Sequence, residues 1–312
     1  MKTRRHFIKS GVTAAAVLPL LGVERLFAAD STNAVAALTP TTIKSIMVAV
    51  RDGERAVMLD KAMTSLGGME RFVKKGQTVV VKPNIGWDTP PECGANTHPE
   101  LVGRVVELCF AADAKSVSIF DNTCDQWQRA YANSGIEAIA KKTGATLING
   151  KDESLYRAVK IPGGVKLAEA KVHSLFLDSD VFINVPVLKH HSGSLMTACM
   201  KNLMGVIWDR RFYHRTDLHQ CIADLLTLKK PDLNILDAYH PMIRNGPRGK
   251  SVEDCVLMKT LLVSSDIVAI DAAGAKLLEH KPADVRHIAI AAQMKLGTMD
   301  LEQVDIRRFK LT

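Results

Sequence analysis

The sequence has six cysteines, Cys93, Cys109, Cys124, Cys199, Cys221 and Cys255, but no two stand in a C-x-x-C or C-x-x-C-H arrangement. Zinc-ribbon, ferredoxin and c-type haem signatures are therefore absent. No G-x-G-x-x-G follows a strand-like run, so a standard dinucleotide-binding fold is unsupported. "GPRGKS" (Gly246 to Ser251) ends like a phosphate-binding loop, but that spacing needs a glycine where Arg244 stands. "HSGS" (His191 to Ser194) lacks the G-x-S-x-G frame of a nucleophile elbow. Aromatic residues make up only 5% of the chain, and no apolar run reaches the ~20 residues that span a bilayer. No repeat period or low-complexity tract is present.

The amino terminus has its own logic. "MKTRRHFIK" carries the pair Arg4-Arg5, and the short apolar run "GVTAAAVLPLLG" (Gly11 to Gly22) follows. A basic start, a short apolar middle and small residues after it read as an export signal, and the arginine pair makes it a twin-arginine one. The signal is expected over residues 1–29, with cleavage near Ala28-Ala29 or as late as Ala34 to Ala36. A single α/β domain is expected over 40–312, in the periplasm or otherwise exported, with the twin-arginine translocase as partner and no stable membrane span after cleavage. Five basic residues (Lys2, Arg4, Arg5, Lys9, Arg25) and one acidic residue (Glu24) would leave with the signal, taking the formal charge from +8 to +4. The remainder is too mildly basic and too poor in aromatics for a nucleic-acid surface, whereas small anionic ligands suit it. Because this route carries folded chains out of a reducing cytoplasm, most cysteines are expected in the core; Cys109 and Cys221 lie in helical apolar patterns.

Apolar runs alternate between two periods. Strand-like stretches lie at Ile43 to Val50, Gln77 to Asn84, Lys115 to Asn122, Ala145 to Asn149, Asp180 to Leu188, Pro231 to Tyr239, Val256 to Ser264 and Val304 to Arg307. Helical stretches lie at Glu54 to Leu66, Pro99 to Ala112, Tyr131 to Lys142, Leu195 to Val206, Asp217 to Lys229, Ile267 to Glu279 and Ala283 to Leu296. Lys151 to Asp178 is less regular and reads as a hairpin or insertion. The pattern predicts an α/β fold: a mainly parallel sheet with helices on both faces.

Several of these strands end in polar residues: Lys82-Pro83-Asn84, Asp121-Asn122, Lys189-His190-His191 and Asp237. In open α/β sheets ligands bind at the carboxyl ends of the strands, so these side chains are expected at one crevice. The stretch "SGSLMTACMKNLMGVIWD" places Ser194, Thr197, Ala198, Lys201, Asn202 and Gly205 on one narrow stripe at helical spacing. A helix otherwise so apolar should be buried, which leaves Lys201 and Asn202 facing a ligand or a buried network, with Gly205 open to close backbone approach. His190 and His191 are adjacent and point apart on an extended chain. A metal would need them in a loop, with His98, His214 or His219 joining and Asp121 or Asp237 completing the set.

Taken together, "VVVKPNIG", "THPELV", "DVFINVPVLKHH", "TACMKNLMGVIW", "DLNILDAYHPMIRNGPRG" and "SSDIVAIDAAG" resemble the family called domain of unknown function 362, from about Ile46 to Leu296. The resemblance implies motif positions at Lys82, Asn84, His98, Lys189, His190, Lys201, Asn202 and Asn245-Gly246-Pro247. Some members carry iron–sulfur modules; this chain has none of their cysteine clusters, so a ferredoxin-type centre is not expected in it.

The resulting expectation is a small-molecule enzyme, redox-linked or not, with an anion- and metal- or cofactor-binding crevice. Lys82, Lys189 and Lys201 would supply positive charge; Asn84, Asn122, Asn202, Asn245 and Gly246 would contact the ligand. His98, Lys189, His190 and Lys201 would carry the chemistry, and His190, His191, His98, Asp121 and Asp237 are the metal candidates. The alternative is a non-catalytic periplasmic binding or accessory protein for an anionic ligand or a metal. Histidine catalysis should titrate near neutral pH, whereas anion capture by lysine is expected to be flat there.

Overall fold

A computed structural model describes residues 18–28 and 45–312. The arginine pair Arg4-Arg5 and the small residues Ala29 and Ala34 to Ala36 lie outside the described residues. Within the expected signal, however, Leu18–Phe27 forms a helix, α1, whose Val23 and Leu26 are 4% exposed. Residues set aside as a leader thus pack on the body.

The chain then alternates as the hydrophobic pattern predicts. β1 (Ser45–Arg51), α2 (Arg55–Leu66), β2 (Thr78–Pro83), α3 (Pro99–Ala111) and β3 (Ser116–Ile119) follow in order. The single helix expected over Tyr131 to Lys142 is two, α4 (Trp127–Asn133) and α5 (Ile136–Thr143). They are divided at Gly135, whose φ of 76° lies in the left-handed region where glycine carries no Cβ penalty. After β4 (Thr146–Leu147), the irregular stretch is a separate antiparallel hairpin of β5 (Tyr156–Lys160) and β6 (Glu169–His173), followed by α6 (Ser174–Asp178).

The strand expected over Asp180 to Leu188 breaks at Pro186, which has no N–H to give a ladder, into β7 (Val181–Val185) and β8 (Val187–His191). The first third of the helix expected at Leu195 to Val206 is absent, and its end, Leu203–Val206, is a tighter 3-10 turn. Leu195–Thr197 is β9, which folds back on β8 so that Thr197 faces Lys189 and Leu195 faces His191. Sheet pairing overrides the helical spacing here, helped by the turn residues Ser192-Gly193-Ser194. Only Cys199–Asn202 remains α-helical, as α7. Next come α8 (Arg211–Arg215), α9 (Leu218–Leu225), β10 (Leu233–Met242), β11 (Thr260–Ser264), α10 (Ile267–Leu277), α11 (Arg286–Gln293) and β12 (Val304–Lys310).

The large sheet runs β12-β1-β11-β10-β7-β2-β3-β4. Only β11 opposes its neighbours on this path, and the β8–β9 hairpin joins along β10. Alternate strand residues feed two cores. Val48, Val50, Val79 and Val81 pack with α2, α3 and α5, while Met47, Ala49 and Val80 pack with the face covered by α9, α10 and α11. This is a mostly parallel α/β fold with helices on both faces.

Candidate active site

The strand register sets an uncommon row into this apolar sheet. Lys82 of β2 faces Asn184 of β7, Asn184 faces Asn234 of β10, and Asn234 faces Ser264 of β11. All four are fully buried, so each polar group needs a partner. Asn184 Nδ2 donates to Asn234 Oδ1 and to the Cys199 carbonyl, each at 3.0 Å, and Asn234 Nδ2 reaches the Ser264 carbonyl at 3.3 Å. Asn202 joins from α7: its Nδ2 donates to Asn184 Oδ1 at 2.9 Å and to the Lys82 carbonyl at 3.2 Å. Asp271 of α10 fixes α7 itself, accepting the Cys199 and Met200 N–H groups at 2.7 and 3.0 Å. Asn202 is thus a structural tie on one side of α7, and Lys201 is left on the other.

A cleft of about 870 Å³ opens beyond the carboxyl ends of β2 and β3. Asn84, Asp121, Asn122, Lys189, Lys201 and Asn202 all line it, together with His191 and Pro247. Three lysines meet in this region in different states. Lys82, fully buried beneath the cleft, is ion-paired to Asp121 Oδ1 at 2.9 Å and donates to the Pro83 carbonyl at 3.0 Å. Burial lowers its pKa and Asp121 opposes that shift. Gly205 passes so close that a Cβ there would lie 1.9 Å from Asp121 Oδ1.

Lys189 is 2% exposed and has no carboxylate partner among the described residues; it donates to Asn84 Oδ1 at 2.7 Å and to the Ala95 carbonyl. Burial, with the charge of Lys201 adding to it, brings Lys189 down to about 7. Lys201 is partly exposed in the cleft wall, and its one hydrogen-bond contact among the described residues is Met204 Sδ at 3.5 Å. Burial, reinforced by Arg210, lowers it to about 8.

The histidines separate. His191 Nδ1 accepts the Gly193 N–H at 2.9 Å, so the proton of the neutral ring sits on Nε2. Burial and then the charges of Lys201 and Lys189 push its pKa to about 2, so it is neutral at any physiological pH. His190 does not line the cleft; its Nδ1 accepts the Gly246 N–H at 3.1 Å. Gly246 is required there, because a Cβ would fall 1.9 Å from the His190 carbonyl oxygen. Asn245 is exposed and its amide is spent on Asp254 Oδ1 at 2.6 Å, so it braces the loop that carries Pro247.

His98 and Asp237 lie on the other side of the sheet. Leu236 and Ala238 belong to the α10 face, which turns Asp237 toward α2. There Arg55 pairs with it at 3.2 Å, and it accepts the His98 N–H at 3.4 Å. Burial first, and then Arg55, lower the pKa of His98. The candidates His190, His191, His98, Asp121 and Asp237 therefore do not converge. Among the described residues no group of three or more His, Cys, Asp or Glu is placed to hold a metal ion. All six cysteines are free: Cys109, Cys199 and Cys221 are buried, Cys93 and Cys255 partly so, and Cys124 is exposed in the cleft.

The cleft also holds residues that the strand-end argument did not select: Lys151, Trp87, Trp208, Arg210 and Arg211. Arg210 donates to the Thr123 carbonyl at 2.6 Å and lies 3.5 Å from Cys124 Sγ. The carboxylates of the lining are occupied, Asp121 by Lys82 and Asp209 by Arg215 at 2.9 Å. The wall is left with a surplus of positive charge and with Asn122 Oδ1, buried and without a hydrogen-bond partner among the described residues.

Comparison with known proteins places this geometry in context. The chain is 26% identical over 253 residues to the thylakoid-associated protein sll1697 of Synechocystis sp., covering 78% of this chain and 76% of that protein. Among solved structures, the lactate racemase apoprotein from Thermoanaerobacterium thermosaccharolyticum aligns with a TM-score of 0.45 and 11% identity, over 76% of this chain. This chain spans 58% of that protein's length. Residues 79–276 match the family described as Domain of unknown function (DUF362), the stretch that carries the polar row and most of the cleft, and the chain belongs to that family.

Proposed function

We propose that this chain is an exported enzyme acting on a small anionic molecule held in the cleft between Lys189, Lys201 and Arg210. One observation carries the reading: two lysines line the cleft without a carboxylate partner among the described residues, one of them 2% exposed. A desolvated ammonium is costly unless an opposite charge accompanies it, and an anionic ligand would complete the site. Lysines lowered to about 7 and about 8 also exchange protons at physiological pH, which suits acid–base work as well as binding. Export rests on the Arg4-Arg5 pair and the apolar run after it.

Calorimetric titration with oxalate and with inorganic phosphate tests the site. The full chain should bind at least one of them, and Lys189→Met should weaken binding by roughly tenfold or more. Equal binding by the variant would remove the cleft from consideration. Turnover separates an enzyme from a carrier: an organic anion consumed from a metabolite mixture indicates catalysis, and one retained unchanged indicates a binding protein. Export is tested by replacing Arg4 and Arg5 with lysine, which should keep the chain in the cytoplasm.

A further inference from the structure

The cleft distinguishes its lysines by what holds their charge. Lys82 has a carboxylate, a carbonyl and the Asn202 amide oxygen around it. Lys189 has two oxygen acceptors, Asn84 Oδ1 and the Ala95 carbonyl, which leaves one of three N–H donors for a ligand. Lys201 has, among the described residues, only a thioether sulfur, a weak acceptor, at 3.5 Å. It stands on a short helix pinned by the Asp271 carboxylate and by the amide bonds of Asn202, so its backbone is fixed while its amine faces the cleft. A cationic neighbour, Arg210 in the same wall, discourages its charge further. A half-buried lysine next to another cationic group is an environment in which an amine becomes a nucleophile.

We infer that Lys201 forms an imine with the carbonyl carbon of a 2-oxo acid whose carboxylate is held by Lys189 and Arg210. The inference rests on the anion-binding reading above and names its substrate class. In the step, the Lys201 nitrogen lone pair attacks the carbonyl carbon and a C–N bond forms. The amine gives up its protons, the former carbonyl oxygen takes up two, and it leaves as water when the C–O bond breaks. No oxidant or reductant is needed. At pH 7 an amine lowered to about 8 is neutral in about a tenth of molecules, enough to react.

The test is trapping with pyruvate and cyanoborohydride on the full chain, followed by peptide mapping, with oxalate binding measured in parallel. The expected result is one reduced adduct, located at Lys201 and suppressed by excess oxalate. Acetone, which has the carbonyl but no carboxylate, should label at least about tenfold less. Lys201→Arg keeps the positive charge and should lose the adduct while still binding oxalate; Lys189→Met should slow labelling of an intact Lys201. Oxalate binding without an adduct at Lys201 overturns the imine and leaves the anion site standing. Labelling spread over exposed lysines such as Lys75, whose side chain is 86% exposed, overturns it equally. Absence of the adduct and of binding to both oxalate and inorganic phosphate overturns this inference and the anion-binding reading together.

Discussion

Lys82 Nζ lies 2.9 Å from Asp121 Oδ1 with both side chains excluded from water, and Gly205 closes over the pair. A buried ion pair contributes little beyond a well-packed apolar alternative, but stranding one partner is costly. Lys82→Met should therefore destabilise the chain by roughly 3–5 kcal/mol, because Asp121 would keep only the Ile85 N–H at 2.7 Å. Denaturant unfolding measures this. A loss below about 0.5 kcal/mol would mean that desolvating Lys82 already costs about as much as its pairing with Asp121 returns.

Gly205→Ala probes the same pair without removing either charge. The added methyl would fall 1.9 Å from Asp121 Oδ1 and 2.7 Å from Lys82 Nζ, so the pair has to move. The expected cost is about 1–3 kcal/mol, as for other overpacked cores, with weaker oxalate binding where Asp121 shifts. Wild-type stability in this variant would show that the backbone after α7 yields freely.

The lysines make anion capture dependent on pH, against the flat response expected of ordinary lysines near neutrality. Burial lowers Lys189 from 10.5 to about 7 and Lys201 to about 8, and the groups facing them, besides each other, include Arg210, His191, His214, Cys124, Cys255 and Asp121. Between pH 7 and 10.5 the unfolded chain binds a proton at Lys189 that the folded chain lacks, so stability from this residue rises with pH in that window. Below pH 7 both states are protonated and the cost of burying the charge is fully present. An anion favours the protonated amine, so oxalate should bind with proton uptake and at least about tenfold more weakly at pH 9 than at pH 6. Titration in two buffers of different ionisation enthalpy reads the uptake directly, and a constant affinity across that range would contradict the assignment.

What could be read in the sequence was whatever depends on period and strand ends. Lys82, Asn84 and Lys189 announced themselves as polar residues closing apolar runs; Asn84 and Lys189 meet in the cleft, and Lys82 is buried beneath it. Asp237 gave the same signal yet lies behind the sheet, because facing is set by residue parity and strand register, and Leu236 claims the cleft side. Lys201 and Asn202 were singled out on a helical stripe that exists only in part. They flank one another on a four-residue helix after a hairpin, a case of strand pairing overriding local spacing. Lys151, Arg210 and Arg211 carry no period, since they stand on or beside loops; the one clue was charge directly after the apolar run that ends at Trp208.

The docked segment α1 gives the last prediction. Arg25 pairs with Glu279 at 3.0 Å, Glu24 with Arg51 at 2.7 Å, and Arg308 donates to the Leu26 carbonyl at 2.8 Å. Gly22 approaches the end of α10 so closely that a Cβ would lie 2.6 Å from the Lys276 carbonyl oxygen. The exposed ion pairs contribute little. Burial of Val23 and Leu26 contributes more, about 1.5–3 kcal/mol for each side chain before the entropy of ordering the helix is subtracted. A chain lacking residues 1–29 should therefore melt several degrees below the full chain, and Leu26→Ala in the full chain should reproduce part of the loss. If the truncated chain melts at the same temperature, the docking is energetically neutral. If it melts lower, cleavage near Ala28-Ala29 would uncover an apolar seam on α10, and export would deliver a less stable protein than the one that folded.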